Sequence, residues 1–249
     1  MPNSIQGNLV HSMIVKSHNG MHEANRRATT FCIVFIISLA GLPAYSQVAV
    51  QCGQLEKPNS YGPFDYTNSQ HFSDKLPIVE EHHFTPEVET FQGHDKCGGN
   101  GCEVAGDIDY TLRAFPNHHR ALLTMSRYHI QGFDRSRRPM GYTAECYFDR
   151  ALRFKPEDST VHMIYGFYLS KLGNAEKALG QFEIAVDLAP NSAEAHYNLG
   201  LLYTEAKAYD KARLHAARAY NLGFPLPGLR RKLERAGQWQ QDLDAPPEK

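Results

Sequence analysis

The chain is expected to be all-α, a solenoid of helical hairpins preceded by a loop-rich N-terminal segment, on three observations. The second half matches itself without a gap at an interval of 34 residues. Ser159 to Ser192, set above Ala193 to Pro225, places His162 on His196, Gly166 on Gly200, Ala178 on Ala212 and Ala185 on Ala219. Inside each unit apolar residues recur at three and four, as in Ala175, Ala178, Leu179, Phe182, Ala185 and Val186, one stripe of an amphipathic helix. The units also end alike, on EIAVDLAPN, RALRFKPED and DYTLRAFPN, each carrying a proline that a helix cannot continue through. A pattern repeated at fixed spacing is architecture, because each hairpin needs its neighbours to cover its apolar face.

Taken in chain order, residues 1–46 read as an N-terminal extension and a cleavable signal peptide. Arg26 and Arg27 precede the apolar run Phe31 to Leu42, and Pro43 and Ala44-Tyr45-Ser46 come after it, so cleavage is expected before Gln47. At 12 residues the run is well short of the roughly 18 that a bilayer span requires. A leader of 46 residues is long, whereas one counted from Met21 has 26, which makes Met21 a candidate start. Export across the inner membrane, to a periplasm, is the expected localisation, with no membrane span in the mature chain.

Removing Lys16, Arg26, Arg27 and Glu23 with the leader changes a formal net charge of −1 to −3. A nucleic-acid partner is therefore not expected, since it calls for a basic patch. Four cysteines remain after Cys32 leaves, and an oxidising compartment favours their pairing. A local Cys97–Cys102 disulfide is the plainest account of the loop HDKCGGNGC, and Cys52 and Cys146 pair only if the N-terminal segment folds back along the helices.

Residues 47–104 form the loop-rich segment, rich in Gly, Pro, Asn and Tyr in CGQLEKPNSYGPFDYTN, with one short helix, TPEVETFQ, opened by Thr85-Pro86. Sixty such residues bury too little to stand alone and are expected to pack on the hairpin array. The array spans 105–225, in units of about 105–118, 119–158, 159–192 and 193–225. The first is half a unit, and the second is lengthened by the insert GFDRSRRPMGYT. Phe115-Pro116-Asn117 is then a helix exit and entry, and His118-His119 begin a helix whose buried stripe is Leu122, Met125, Ser126 and His129. Adjacent residues on a helix point apart, so the two histidines read as a solvated first turn rather than ligands of one ion. His162 and His196 read as packing residues. Residues 226–239 suit a capping helix with Leu229, Leu233 and Ala236 on one side, and 240–249 a disordered tail.

The repeat resembles the tetratricopeptide (TPR) repeat, secreted bacterial type: the period matches, as do Leu199-Gly200, Tyr203, Ala212 and Ala219 in one unit and Gly166, Ala178, Phe182, Ala185 and Pro190 in the other. Histidine stands for the usual tryptophan in both units, Ala216 for the aromatic, and Pro225 falls one residue late. The resemblance implies a superhelical stack whose concave groove binds a protein or peptide partner. By residue match the groove-facing candidates are Arg120, Leu123, Arg127, Thr160, Met163, Phe167, Lys171, Glu194, Tyr197, Asn198 and Leu201. Only Asn198 matches the clamp with which some members grip a C-terminal carboxylate, so that activity is not carried over. Tyr197 and Phe167 are expected to offer exposed aromatic area and Arg120 and Arg127 positive charge, which suits an apolar segment followed by acidic residues. Phe167 could instead pack beneath the N-terminal segment.

No cofactor is implied and no catalytic constellation is found: Glu80-Glu81 and Glu87 have no partner motif, and neither a Ser-centred elbow nor His-Glu-x-x-His occurs. The competing expectation is a metal-binding or enzymatic accessory protein using His82, His83, His94, Cys97 and Cys102, at a spacing loose for zinc.

Overall fold

The computed structural model describes residues 52–56, 60–92, 104–133 and 140–239. The leader, the Cys97–Cys102 pair and the tail lie outside the described residues, as does part of the insert. What is described is helical, with no strand among the described residues. The helices are α1 Ser69–Asp74, α2 Leu76–His83, α3 Pro86–Glu89, α4 Val104–Ala114, α5 His119–Ile130, α6 Ala144–Phe154, α7 Ser159–Lys171, α8 Ala175–Leu188, α9 Ala193–Glu205, α10 Tyr209–Asn221 and α11 Gly228–Arg235.

Local chemistry accounts for the boundaries. Helices α5, α6, α7 and α9 open on side-chain caps, His118, Thr143, Asp158 and Ser192, which accept hydrogen bonds from otherwise unpaired backbone N–H groups. Three of these caps stand two residues after a proline, Pro116, Pro156 or Pro190, so the closing motif of one unit also starts the next. Helices α8 and α10 have no side-chain cap and instead come after a reversal at one shared repeat position, Gly173 with φ +80° and Lys207 with φ 59°. There the N–H of Asn174 reaches the carbonyl of Leu169, and that of Ala208 the carbonyl of Tyr203, both at 2.9 Å.

Each helix from α4 onward packs on its successor, α5 also touches α7, and α9 also touches α11. The two repeat glycines permit the closest approaches. A Cβ on Gly166 would come within 2.7 Å of the Phe182 ring, and one on Gly200 within 2.6 Å of a Leu229 methyl. His162 and His196 are buried, and each donates through Nε2 to the carbonyl of the proline six residues before it, Pro156 at 2.9 Å and Pro190 at 3.0 Å. Their bulk and that bond tie the first turn of a helix to the loop leading into it. The buried stripe of α5 contains Leu122, Met125 and Ser126, while His129 is only half-buried. Leu229 and Leu233 bury one side of α11 against the preceding helices; Ala236, expected on the same side, is exposed because the helix ends at it.

The N-terminal segment holds more structure than expected, since α1 and α2 are not among the elements that the sequence predicts. Asn68 caps α1 by accepting from the N–H groups of Gln70 and His71, and Pro77 lies in the first turn of α2. The expected helix after Thr85 is confined to α3, because Phe91 turns into the left-handed region at φ 65°. Tyr66, Leu76 and Val79 form one apolar cluster with Ala114 and Phe115 at the end of α4, joined by Phe64 and Tyr110. Residues 52–54 fold back on α6: Cys52 and Cys146 form a disulfide with Cα atoms 5.0 Å apart, and the buried Arg150 donates to the carbonyls of Cys52 and Gln54 at 3.2 and 2.7 Å.

Candidate functional site

The histidine pair at the start of α5 is not solvated. His118 and His119 are both buried, and the carboxylates that bury them come from opposite sides of the sequence. His118 accepts the N–H of Ala121 on Nδ1 and presents Nε2 to Glu80 Oε1 at 3.1 Å, which makes it a neutral helix cap with its proton on Nε2. Burial pushes its pKa down and Glu80 opposes that without prevailing. His119 Nε2 lies 2.9 Å from Asp158, the residue that caps α7. Asn117 joins the two halves. It accepts the N–H of Tyr66 at 3.0 Å and donates to Asp65 at 2.9 Å and Asp158 at 3.0 Å. Burial raises the Asp158 carboxyl, but hydrogen bonds from His119 and Asn117 outweigh it and hold the pKa below its ordinary value. The segment Asn117-His118-His119 is thus a polar lock among α2, α5, α7 and the Tyr66 turn.

The eleven groove candidates separate by what they touch. Arg120 pairs with Glu80 at 3.1 Å and Glu89 at 2.5 Å, and Arg127 lies over the Phe91 ring with its guanidinium 5.0 Å from the centroid. The Arg120 charge is thus compensated by two carboxylates, whereas Arg127 is oriented by the ring and keeps its charge. Leu123, Met163, Phe167 and Leu201 are buried, Thr160 is half-buried, and Lys171 spans the Phe167 ring at 5.2 Å. Burial lowers the pKa of Lys171, and nearby Lys232 adds to this against the pull of Glu205. The expected exposure of Phe167 and Tyr197 does not hold. Tyr197 is 3 % exposed, because the turn after α10 stacks Phe224 on it at 4.2 Å and Gly228 closes over its hydroxyl.

Glu194 and Asn198, one turn apart on α9, are different in kind. Asn198 is 3 % exposed, yet neither its Oδ1 nor its Nδ2 has a hydrogen-bond partner among the described residues. Glu194 Oε1 is buried without a partner as well, and burial alone pushes its carboxyl up to about 7, with no cation or donor acting in the other direction. Buried polar atoms are normally satisfied, and each exception calls for a cause. The repeat supplies an internal comparison: Asn198 stands on Ile164 of the preceding unit, a residue that is 1 % exposed and apolar. The preceding unit therefore fills the equivalent position with a buried hydrocarbon. A buried amide left unpaired costs about 1–3 kcal/mol, which packing does not return.

For the competing metal reading, His94, Cys97 and Cys102 lie outside the described residues. His83 is engaged with Asp107 at 2.9 Å and stacked on Tyr110, while His82 is exposed. Among the described residues no three His, Cys, Asp or Glu side chains converge as a metal site would require. A cavity of roughly 350 Å³ opens between α5 and the start of α6, bordered by Met125, His129, Tyr142 and Glu145. No helix among the described residues is long and apolar enough to cross a membrane. No protein-family model matches the chain, and no curated protein matches it.

Proposed function

We propose that the protein is an exported scaffold of TPR-like hairpins that binds an extended segment of a partner protein along the face carrying α5, α7 and α9. The observation behind this reading is Asn198: a side chain with one donor group and one acceptor, buried and unpartnered, matches what a peptide backbone presents. The TPR-like assignment is supported by the 34-residue register, the paired glycines at 166 and 200, the shared reversal at 173 and 207, and the repeated histidine-to-proline clip. Export is supported by the leader pattern and the Cys52–Cys146 disulfide, which is the kind of bond that oxidising compartments sustain.

Selection of a displayed random heptapeptide library on the immobilised mature chain tests the binding reading. Enriched peptides are expected to bind with micromolar affinity and to lose binding on Asn198→Leu. Enrichment of nothing, or of peptides indifferent to Asn198→Leu, would remove the site.

A further inference from the structure

The unpartnered groups also state what the partner must carry. Glu194 and Asn198 lie on one helix face, so a ligand that satisfies the Asn198 amide has its next side chain about one turn away, near the buried oxygen of Glu194. Of the two arginines that could have favoured an acidic segment, Arg120 is paired with Glu80 and Glu89, while Arg127 keeps its charge over the Phe91 ring, on α5 rather than beside Glu194 on α9. An acidic residue brought against Glu194 would face like charge, and a purely apolar one would leave its buried oxygen without a donor. A lysine ammonium or arginine guanidinium supplies the missing donors and the opposite charge together.

We infer that the partner segment is basic: it places a Lys or Arg side chain on Glu194 while its backbone pairs with Asn198. This rests on the peptide-binding reading and reverses the charge that the arginines had implied. Like charge against Glu194 also gives the site a means of rejecting acidic segments.

The same displayed heptapeptide library gives the first result. The enriched sequences are expected to share one Lys or Arg position, whereas acidic or uncharged consensus sequences would overturn the inference and leave peptide binding standing. An enriched peptide is then synthesised with a fluorescent label, with that position as Lys or Gln, and titrated by polarisation against the mature chain and its Glu194→Gln variant. On the wild-type chain the Lys peptide is expected to bind about tenfold or more tighter than the Gln peptide. On Glu194→Gln that ratio is expected to fall close to one, and an unchanged ratio would place the cation elsewhere. Glu194→Gln keeps the side-chain shape, and its circular dichroism and melting temperature show whether it folds. A library that enriches nothing removes the peptide-binding reading, and this inference with it.

Discussion

Replacing Asn198 with leucine should make the protein more stable while abolishing binding. In the free chain both amide atoms are buried and unpartnered among the described residues, so the fold carries their desolvation cost of about 1–3 kcal/mol with nothing in exchange. Leucine shares the γ-branching of asparagine and brings the site toward the apolar Ile164 of the preceding unit. Its extra volume must be accommodated, which offsets part of the gain. A net gain of about 1–2 kcal/mol is expected, a rise in melting temperature of about 2–8 °C for a chain of this size. Urea unfolding followed by helical circular dichroism measures it. Two controls bracket the result: Asn198→Ala removes the amide without overpacking, and Ile164→Asn moves an amide into the equivalent site and should cost about 2–4 kcal/mol. If Asn198→Leu and Asn198→Ala each lost more than about 1 kcal/mol, the amide would be satisfied within the fold and the candidate site would have no basis.

Glu194→Gln should stabilise the free chain above neutral pH and be silent in acid. A carboxyl raised to about 7 in the fold, from 4.5, contributes stability in full below 4.5 and loses it as pH rises through 7. Thermal melts at pH 4 and pH 8.5 should differ in the variant's favour by about 1–3 kcal/mol at the higher pH only. Asn117→Ala should cost about 2–4 kcal/mol in urea melts, because Tyr66 N–H, Asp65 and Asp158 each lose a partner; a loss under about 1 kcal/mol would deny the lock. Lys207→Gly should gain about 0.5–1 kcal/mol, since a left-handed φ of 59° strains any side chain at the position where the other unit has Gly173. Breaking the Cys52–Cys146 bond, which spans 94 residues, with the paired change to serine should lower stability by about 4 kcal/mol, read from the shift in urea midpoint.

Features decided locally are legible in the sequence. Helices α7 to α10 and their turns are written in the spacing of Ala178, Phe182 and Ala185 and their counterparts, and in prolines that end one helix two residues before the cap of the next. Helices α1 and α2 lack that spacing. They are too short to show a period, and the apolar side of α2, Leu76 and Val79, is covered by Ala114 and Phe115, more than thirty residues away. The histidine pair departs from its expected exposure for the same reason. Adjacent histidines on a first helical turn are ordinarily solvated; here Glu80 and Asp158, 38 and 39 residues distant on either side, enclose them. Arg120 and Arg127 read as free charges in sequence because Glu89 and Phe91 approach them from a segment with no pattern of its own.

Position in the repeat singles out Glu194 and Asn198, but position does not separate them from Tyr197 or Leu201. The difference is energetic. Tyr197 and Leu201 are buried because burial favours them, and Tyr197 gains a stacked ring from Phe224. Asn198 is buried against its own preference, at a position where the preceding unit shows that isoleucine packs. A single substitution, Asn198→Leu, is expected to relieve that cost. A loss carried in the free state can be recovered in a bound one, and for an amide beside a carboxylate the proposed bound state supplies a backbone and a cation. The same logic sets the order of experiments: the stability gain of Asn198→Leu needs no knowledge of the partner. It therefore comes before any search for the partner, since a loss in its place would end that search.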